Sequence, residues 1–159
     1  MDKKQLVEKL REKLESERLV LIEAARATYE AATHEESKPE NEYDTRGLEA
    51  SYLAGAQAKR VGEIEEIISI CRNLELRNFS AQTPIASSAV VEVEYNKKRT
   101  FVFLMPKGGG ITVEFEGKTI QVIAPNSPLG MALLNHKAGD VASVETDDDV
   151  KEYEILSVE

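Results

Sequence analysis

Apolar or small residues recur along the first part of the chain at Val7, Leu10, Leu14, Leu21, Ala24 and Ala31, with Glu17 and Thr28 filling the remaining seam positions. This heptad stripe predicts one long helix. A second stripe, Ala50, Ala54, Val61, Ile64, Ile68 and Cys71, flanked by Leu53, Ile67 and Leu74, predicts another. At 1.5 Å per residue, a helix of about 30 residues is roughly 45 Å long. Between the stripes lies the polar segment His34-Glu35-Glu36-Ser37-Lys38-Pro39-Glu40-Asn41, where proline removes a backbone donor and disfavours helix at the residues before it. The chain is expected to turn there and to pack the helices antiparallel, each covering the stripe that the other cannot bury alone.

From Ala89 onward the period becomes two. Val91, Val93 and Tyr95 alternate with Glu92 and Glu94, and Ile111, Val113 and Phe115 alternate with Thr112, Glu114 and Glu116. Turn signals at Asn96-Lys97-Lys98, Pro106 to Gly110, Gly117-Lys118 and Thr146 to Asp149 divide the region. Strands are expected near 89–95, 100–105, 111–116 with 119–124, 141–146 and 150–158. Ser127 as cap and Pro128 at the first helical position predict a short helix after the third of these regions. The expected fold class is α+β: a long antiparallel coiled-coil hairpin over 1–76, with its tip near 34–45, a polar surface linker over 77–88, and a small antiparallel sheet carrying one helix over 89–159.

Composition narrows the function classes. The 159 residues include 20 basic and 29 acidic side chains, a net charge of -9, which opposes independent sequence-specific DNA binding. The one tight basic cluster, Lys97-Lys98-Arg99, reads as a solvated hairpin turn. The longest apolar run, Phe101 to Met105, is far short of the roughly 20 residues that span a bilayer, and no apolar stretch follows the charged start as in a secretory signal. A cytoplasmic protein without a membrane partner is expected. A single cysteine, Cys71, excludes an internal disulfide and lacks the company that zinc or thiol chemistry requires.

The sharpest charge feature is the expected tip. From Glu35 to Asp44 there are five acids, Glu35, Glu36, Glu40, Glu42 and Asp44, against one base, Lys38. Helix dipoles and turn polarity account for some of them. The functional reading is that oxygen ligands on a projecting tip reach a magnesium ion or a cationic pocket in another macromolecule. Tyr52 reads as a packing residue of the second helix, and Tyr43 is divided between packing and the tip. His34 reads as solvated. His136 and Asp140 have no nucleophile to serve, and Gly108-Gly109-Gly110, without the Lys-Ser/Thr ending of a phosphate loop, reads as a hairpin turn.

The segment from Val122 to Asp140, with its Ser-Pro-Leu-Gly-x-Ala-Leu-Leu core at Ser127 to Leu134 and Lys-x-Gly-Asp at Lys137 to Asp140, closely resembles the C-terminal signature of the Gre family of bacterial transcription elongation factors. The resemblance continues through Lys151 to Ile155 and more loosely through the helical half. It implies an FKBP-like C-terminal domain that docks at the rim of the secondary channel of bacterial RNA polymerase, with Ser127, Pro128, Leu129 and Gly130 in the docking motif region. It further implies a hairpin that reaches down the channel, where the tip acids, among Glu36, Glu40, Glu42 and Asp44, help to hold a shared Mg2+ and the polymerase cleaves backtracked RNA. The candidate pairs are Glu40 with Asp44, Glu42 with Asp44 and Glu36 with Glu40, of which Glu40 and Asp44 are assigned to that metal. On this resemblance the protein is no enzyme, carries no cofactor of its own, and meets nascent RNA only within the elongation complex.

Cleavage-competent members carry Asp-x-x-Glu at the tip, commonly followed by Asn. Between His34 and Arg46 no two acids here stand three apart, although Glu40-Asn41 echoes the Glu-Asn pair. The alternative is therefore a related factor that occupies the channel and inhibits or modulates the polymerase. A prolyl isomerase, lined by Phe101, Phe103, Phe115 and Tyr153, rests on fold analogy alone, and a coiled-coil adaptor for another protein is the third class.

Overall fold

The structure is a computed structural model that describes residues 1–34, 38–40, 46–146 and 149–159. It divides into two compact units, one formed by Arg11–Cys71 and the other by Met1–Leu10 with Arg72–Glu159.

The helical unit is built from most of α1 (Lys3–Thr33) and α2 (Arg46–Asn73). Arg11 lies close enough to the Cys71 thiol to act on it electrostatically, and Arg18 Nη1 meets Glu65 Oε1 at 3.0 Å. Moving outward along α1 therefore means moving backward along α2, which is the antiparallel pairing expected of the two stripes. The apolar seam is buried at Leu14, Ala54, Ile64, Ile67, Ile68 and Cys71, while Leu21, Ala24 and Val61 are half-buried. Each fully buried Leu or Ile contributes about 1.5–3 kcal/mol. Tyr52 departs from its expected packing role, being 73% exposed. It lies two residues, about 200° of helix rotation, from the buried Ala54, so its ring faces away from the seam.

The second unit carries a six-stranded mixed sheet of β1 (Val90–Tyr95), β2 (Lys98–Leu104), β3 (Thr112–Phe115), β4 (Lys118–Ile123), β5 (Val141–Glu145) and β6 (Val150–Val158), in the order β3-β4-β2-β1-β6-β5. Asn96 and Lys97, at φ 50° and 62°, form the tight turn of the β1–β2 hairpin; Glu116 and Gly117, at 50° and 72°, do the same for β3–β4. Both turns have the positive φ pair that matches strand twist.

The sheet is not wholly antiparallel. β2 and β4 run parallel, with Phe101 opposite Ile120 and Phe103 opposite Val122. The Gly108 to Gly110 segment is consequently a crossover rather than a hairpin turn: it carries the chain past the place that β4 later fills. Burial explains the order. β4 buries Ile120, Val122 and Ile123 and takes an interior position, whereas β3 exposes Thr112 and Glu114 and suits an edge.

One face of the sheet forms a core around Val91, Val93, Val102, Leu104 and Ile155, closed by Leu133 of α3 (Pro128–Leu133) and by Ile85. Ile85 is 0% exposed, and its backbone exchanges hydrogen bonds with the loop after α3: its N–H donates to His136 O at 2.7 Å and its carbonyl accepts from Asn135 N at 3.0 Å. The segment expected as a polar surface linker over 77–88 thus contributes a core side chain. Sequence polarity hid it because Ile85 is the one large aliphatic residue there.

Candidate functional site

The expected tip begins where α1 ends. His34, Lys38, Pro39 and Glu40 are exposed. Glu36, Glu42, Tyr43 and Asp44 lie outside the described residues. Among the described residues, no three His, Cys, Asp or Glu side chains are grouped so as to hold a metal ion. Carboxylate oxygens are the right donors for magnesium. Glu40 fits such an ion in kind, and the described residues alone supply no complete coordination shell.

The Ser-Pro-Leu-Gly motif has a definite local geometry. Ser127 caps α3: its Oγ donates to Ala124 O at 2.7 Å and accepts from Gly130 N at 3.1 Å. Pro128 occupies the first turn, where no amide donor is needed. Gly130 is buried with its Cα against the Ala124 carbonyl; a Cβ at this position would lie 2.0 Å from that oxygen. Leu129 packs partly against the core, while Pro128 is exposed. Ser127, Pro128 and Leu129 also line an apolar groove of about 310 Å³ together with Val144 and Tyr153. The motif therefore does two things at once: it fixes the turn into α3 and shapes one wall of a groove.

The Lys-x-Gly-Asp continuation is likewise structural in its contacts. Asp140 Oδ2 accepts from Lys137 N at 2.9 Å, closing a turn in which Gly139 adopts φ 91°. Gly139 N donates to Ile155 O, and Ile155 N returns a bond to Asp140 O, so the turn is stitched to β6. His136 is half-buried with Nδ1 3.4 Å from Leu134 O.

At the start of α1, Lys3 Nζ donates to the carbonyls of Ser88, at 3.2 Å, and Arg77, and lies 4.7 Å from the centre of the Phe79 ring. Burial lowers its pKa, and the charge of Glu159 partly opposes that shift. Sequence periodicity gave no sign of this role, because Lys3 precedes the first seam position. Cys71 is buried, and desolvation pushes its thiol up to about 11, leaving it a packing residue without a thiolate at neutral pH. Of the four aromatics considered for a prolyl-isomerase pocket, Phe103 and Phe115 are buried, Tyr153 lines the apolar groove and Phe101 another cleft. Among the described residues, no helix is long and apolar enough to cross a membrane.

Antiparallel helices followed by a mixed sheet whose short helix is capped by Ser-Pro-Leu-Gly define a class, and residues 81–159 match the family described as "Transcription elongation factor, GreA/GreB, C-term". The chain is 30% identical over 154 residues to "Transcription inhibitor protein Gfh1" of Thermus thermophilus, covering 95% of this chain and 91% of that protein. It is also 30% identical over 158 residues to "Transcription elongation factor GreA" of Alkalilimnicola ehrlichii, covering 95% and 91%. The crystal structure of Gfh1 from Thermus thermophilus aligns with 94% of this chain and 94% of its own, at 23% identity and a TM-score of 0.37. The chain belongs to the GreA/GreB family of transcription elongation factors.

Proposed function

We propose that this protein acts on bacterial RNA polymerase through its secondary channel, docking by the sheet domain and presenting the hairpin tip to the catalytic centre. The observation that carries this reading is the density of acids between Glu35 and Asp44 at the turn between two long helices, in a chain of this family. Isolated, such a cluster is self-repelling; beside a cation it is favourable. A magnesium ion there would stabilise the attacking and leaving oxygens of phosphodiester hydrolysis. The chain's own part is to deliver carboxylates, with Glu40 and Asp44 the assigned pair and Glu36 and Glu42 beside them. It performs no chemistry alone, and its contact with nascent RNA is confined to the elongation complex. The groove walled by Ser127, Pro128 and Leu129 is the proposed docking region, with Gly130 holding its shape.

The test is a transcript-cleavage assay on a purified backtracked elongation complex. Shortened RNA that disappears with Glu40→Ala and Asp44→Ala together supports the reading. Binding to polymerase with no shortening, and slower elongation, replaces it with the second reading, a channel-occupying inhibitor. Two observations favour that alternative: no acids stand three apart between His34 and Arg46, and one relative of 30% identity is named a transcription inhibitor.

A further inference from the structure

Sulfur is sparse in this chain, which has 3 methionines and 1 cysteine, and burial separates them. Met105 is 0% exposed, with its N–H donating to Ile123 O at 3.0 Å, and the Met1 side chain is 1% exposed. Cys71 is buried in the helical seam, where desolvation pushes its thiol up and leaves no thiolate for an oxidant to attack. Met131 is 60% exposed. An oxidant in solution therefore meets a single accessible thioether.

The place of that thioether gives its oxidation a consequence. Gly130 and Leu133 are the buried residues of α3, and Met131 lies about 200° of helix rotation from Leu133, on the outward side. Met131 N donates to Ser127 O at 2.8 Å, which sets the residue one turn above the Ser127 cap. Helical side chains lean toward the N-terminus of their helix, so the thioether reaches back over the turn that carries Ser127 and Pro128. Those two residues wall the apolar groove, and Pro128 is itself exposed. A soft, adaptable methionine on such a surface suits contact with a partner.

We propose, resting on the docking reading given above, that Met131 is a modification site: hydrogen peroxide converts it to the sulfoxide, and the modified chain docks on polymerase more weakly. A sulfur lone pair attacks one peroxide oxygen, the S–O bond forms and the O–O bond breaks. The departing hydroxide takes the proton of the transferred oxygen and leaves as water. Sulfur loses two electrons and the peroxide gains them. The product replaces a flexible apolar group by a polar, chiral one. That change weakens an interface in which the side chain becomes buried, and it spares the fold, where solvent already covers the side chain. Methionine sulfoxide reductases reverse it, so the site is a switch rather than a lesion.

The full chain, treated with hydrogen peroxide and then freed of it, is compared with the untreated chain by peptide mass spectrometry, thermal unfolding and affinity for purified bacterial RNA polymerase. One added oxygen is expected, in the peptide carrying Met131, with Met1 and Met105 unmodified until denaturant is present. The melting temperature should hold while the affinity falls by about tenfold, roughly 1.4 kcal/mol. Reductases acting on both sulfoxide epimers should restore it. Met131→Leu, whatever its own affinity, should show no change after peroxide. Oxidation of Met105 as fast as Met131 in the folded chain, a lowered melting temperature or an unchanged affinity overturns the proposal and leaves the docking reading standing. So does a reduced Met131 without recovered affinity, or a peroxide response kept by Met131→Leu. No binding by the untreated chain overturns both.

Discussion

Gly130 offers the most direct test of what the Ser-Pro-Leu-Gly motif is for. An added methyl group would begin 2.0 Å from Ala124 O and 2.9 Å from Ser127 Oγ, where ordinary contacts run 3.4–4 Å. The obstacle at 2.0 Å is backbone, so the turn must open by about 1.4 Å, and forced overpacking of this kind costs about 1–3 kcal/mol. Opening it also separates Gly130 N from Ser127 Oγ and loses the cap, worth about 0.5–2 kcal/mol. Gly130→Ala should therefore destabilise the sheet unit by about 1.5–5 kcal/mol, which for a unit near 100 residues lowers its melting temperature by about 6 °C or more. Thermal unfolding of the full chain followed by near-ultraviolet circular dichroism measures it. Gly55→Ala is the control: in the interior of α2 nothing lies within 4 Å of its Cβ, and it should stabilise the helical unit by about 0.5–1 kcal/mol. If Gly130→Ala melts within about 3 °C of the parent while weakening polymerase binding, the close approach is not what the glycine is for, and a contact role replaces it.

Leu14→Ala, at a fully buried seam position, should cost the helical unit about 2–5 kcal/mol in denaturant unfolding, whereas a change at exposed Leu19 should stay within about 0.5 kcal/mol. Cys71 should resist iodoacetamide at pH 8 in the folded chain and react on unfolding, since its thiol titrates near 11. Between the ordinary thiol value of 9.0 and about 11 the folded state keeps a proton that the unfolded state releases, so this group's stabilisation is complete below 9.0 and lost as pH rises toward 11. The stability difference between the parent and Cys71→Ala should accordingly shrink across that window. Lys3→Met, which strips the donors to Ser88 O and Arg77 O, should lower the stability of the sheet unit by about 1–3 kcal/mol by chemical denaturation; an unchanged midpoint would show that water replaces the ammonium without loss.

Periodicity made much of this legible. The heptad stripes found both helices because a buried seam must recur every three or four residues, and Ser127-Pro128 announced α3 because capping chemistry is local. Alternation found the strands but not their order: it reports which face a residue takes, not which strand lies beside it. The parallel β2·β4 pair was invisible for that reason. Tyr52 misled because an aromatic near a seam was read as part of it, although its helical angle opposes Ala54. Ile85 was masked by polar neighbours. The proposed metal pair is a different matter: Glu40 is exposed, Asp44 lies outside the described residues, and the assignment of both rests on family pattern.

The last strand in the chain occupies an interior place: β6 lies between β1 and β5, with Val91 paired to Val158 and Val93 to Ile155. During synthesis, β1 must wait with one hydrogen-bonding edge unpaired until residues 150–158 leave the ribosome, and that edge carries Val91 and Val93. A nascent chain in this state presents an open, valine-rich template for pairing with another chain. Arrest of synthesis within β6 should therefore favour chaperone capture more than emergence of the whole of β6 from the ribosome.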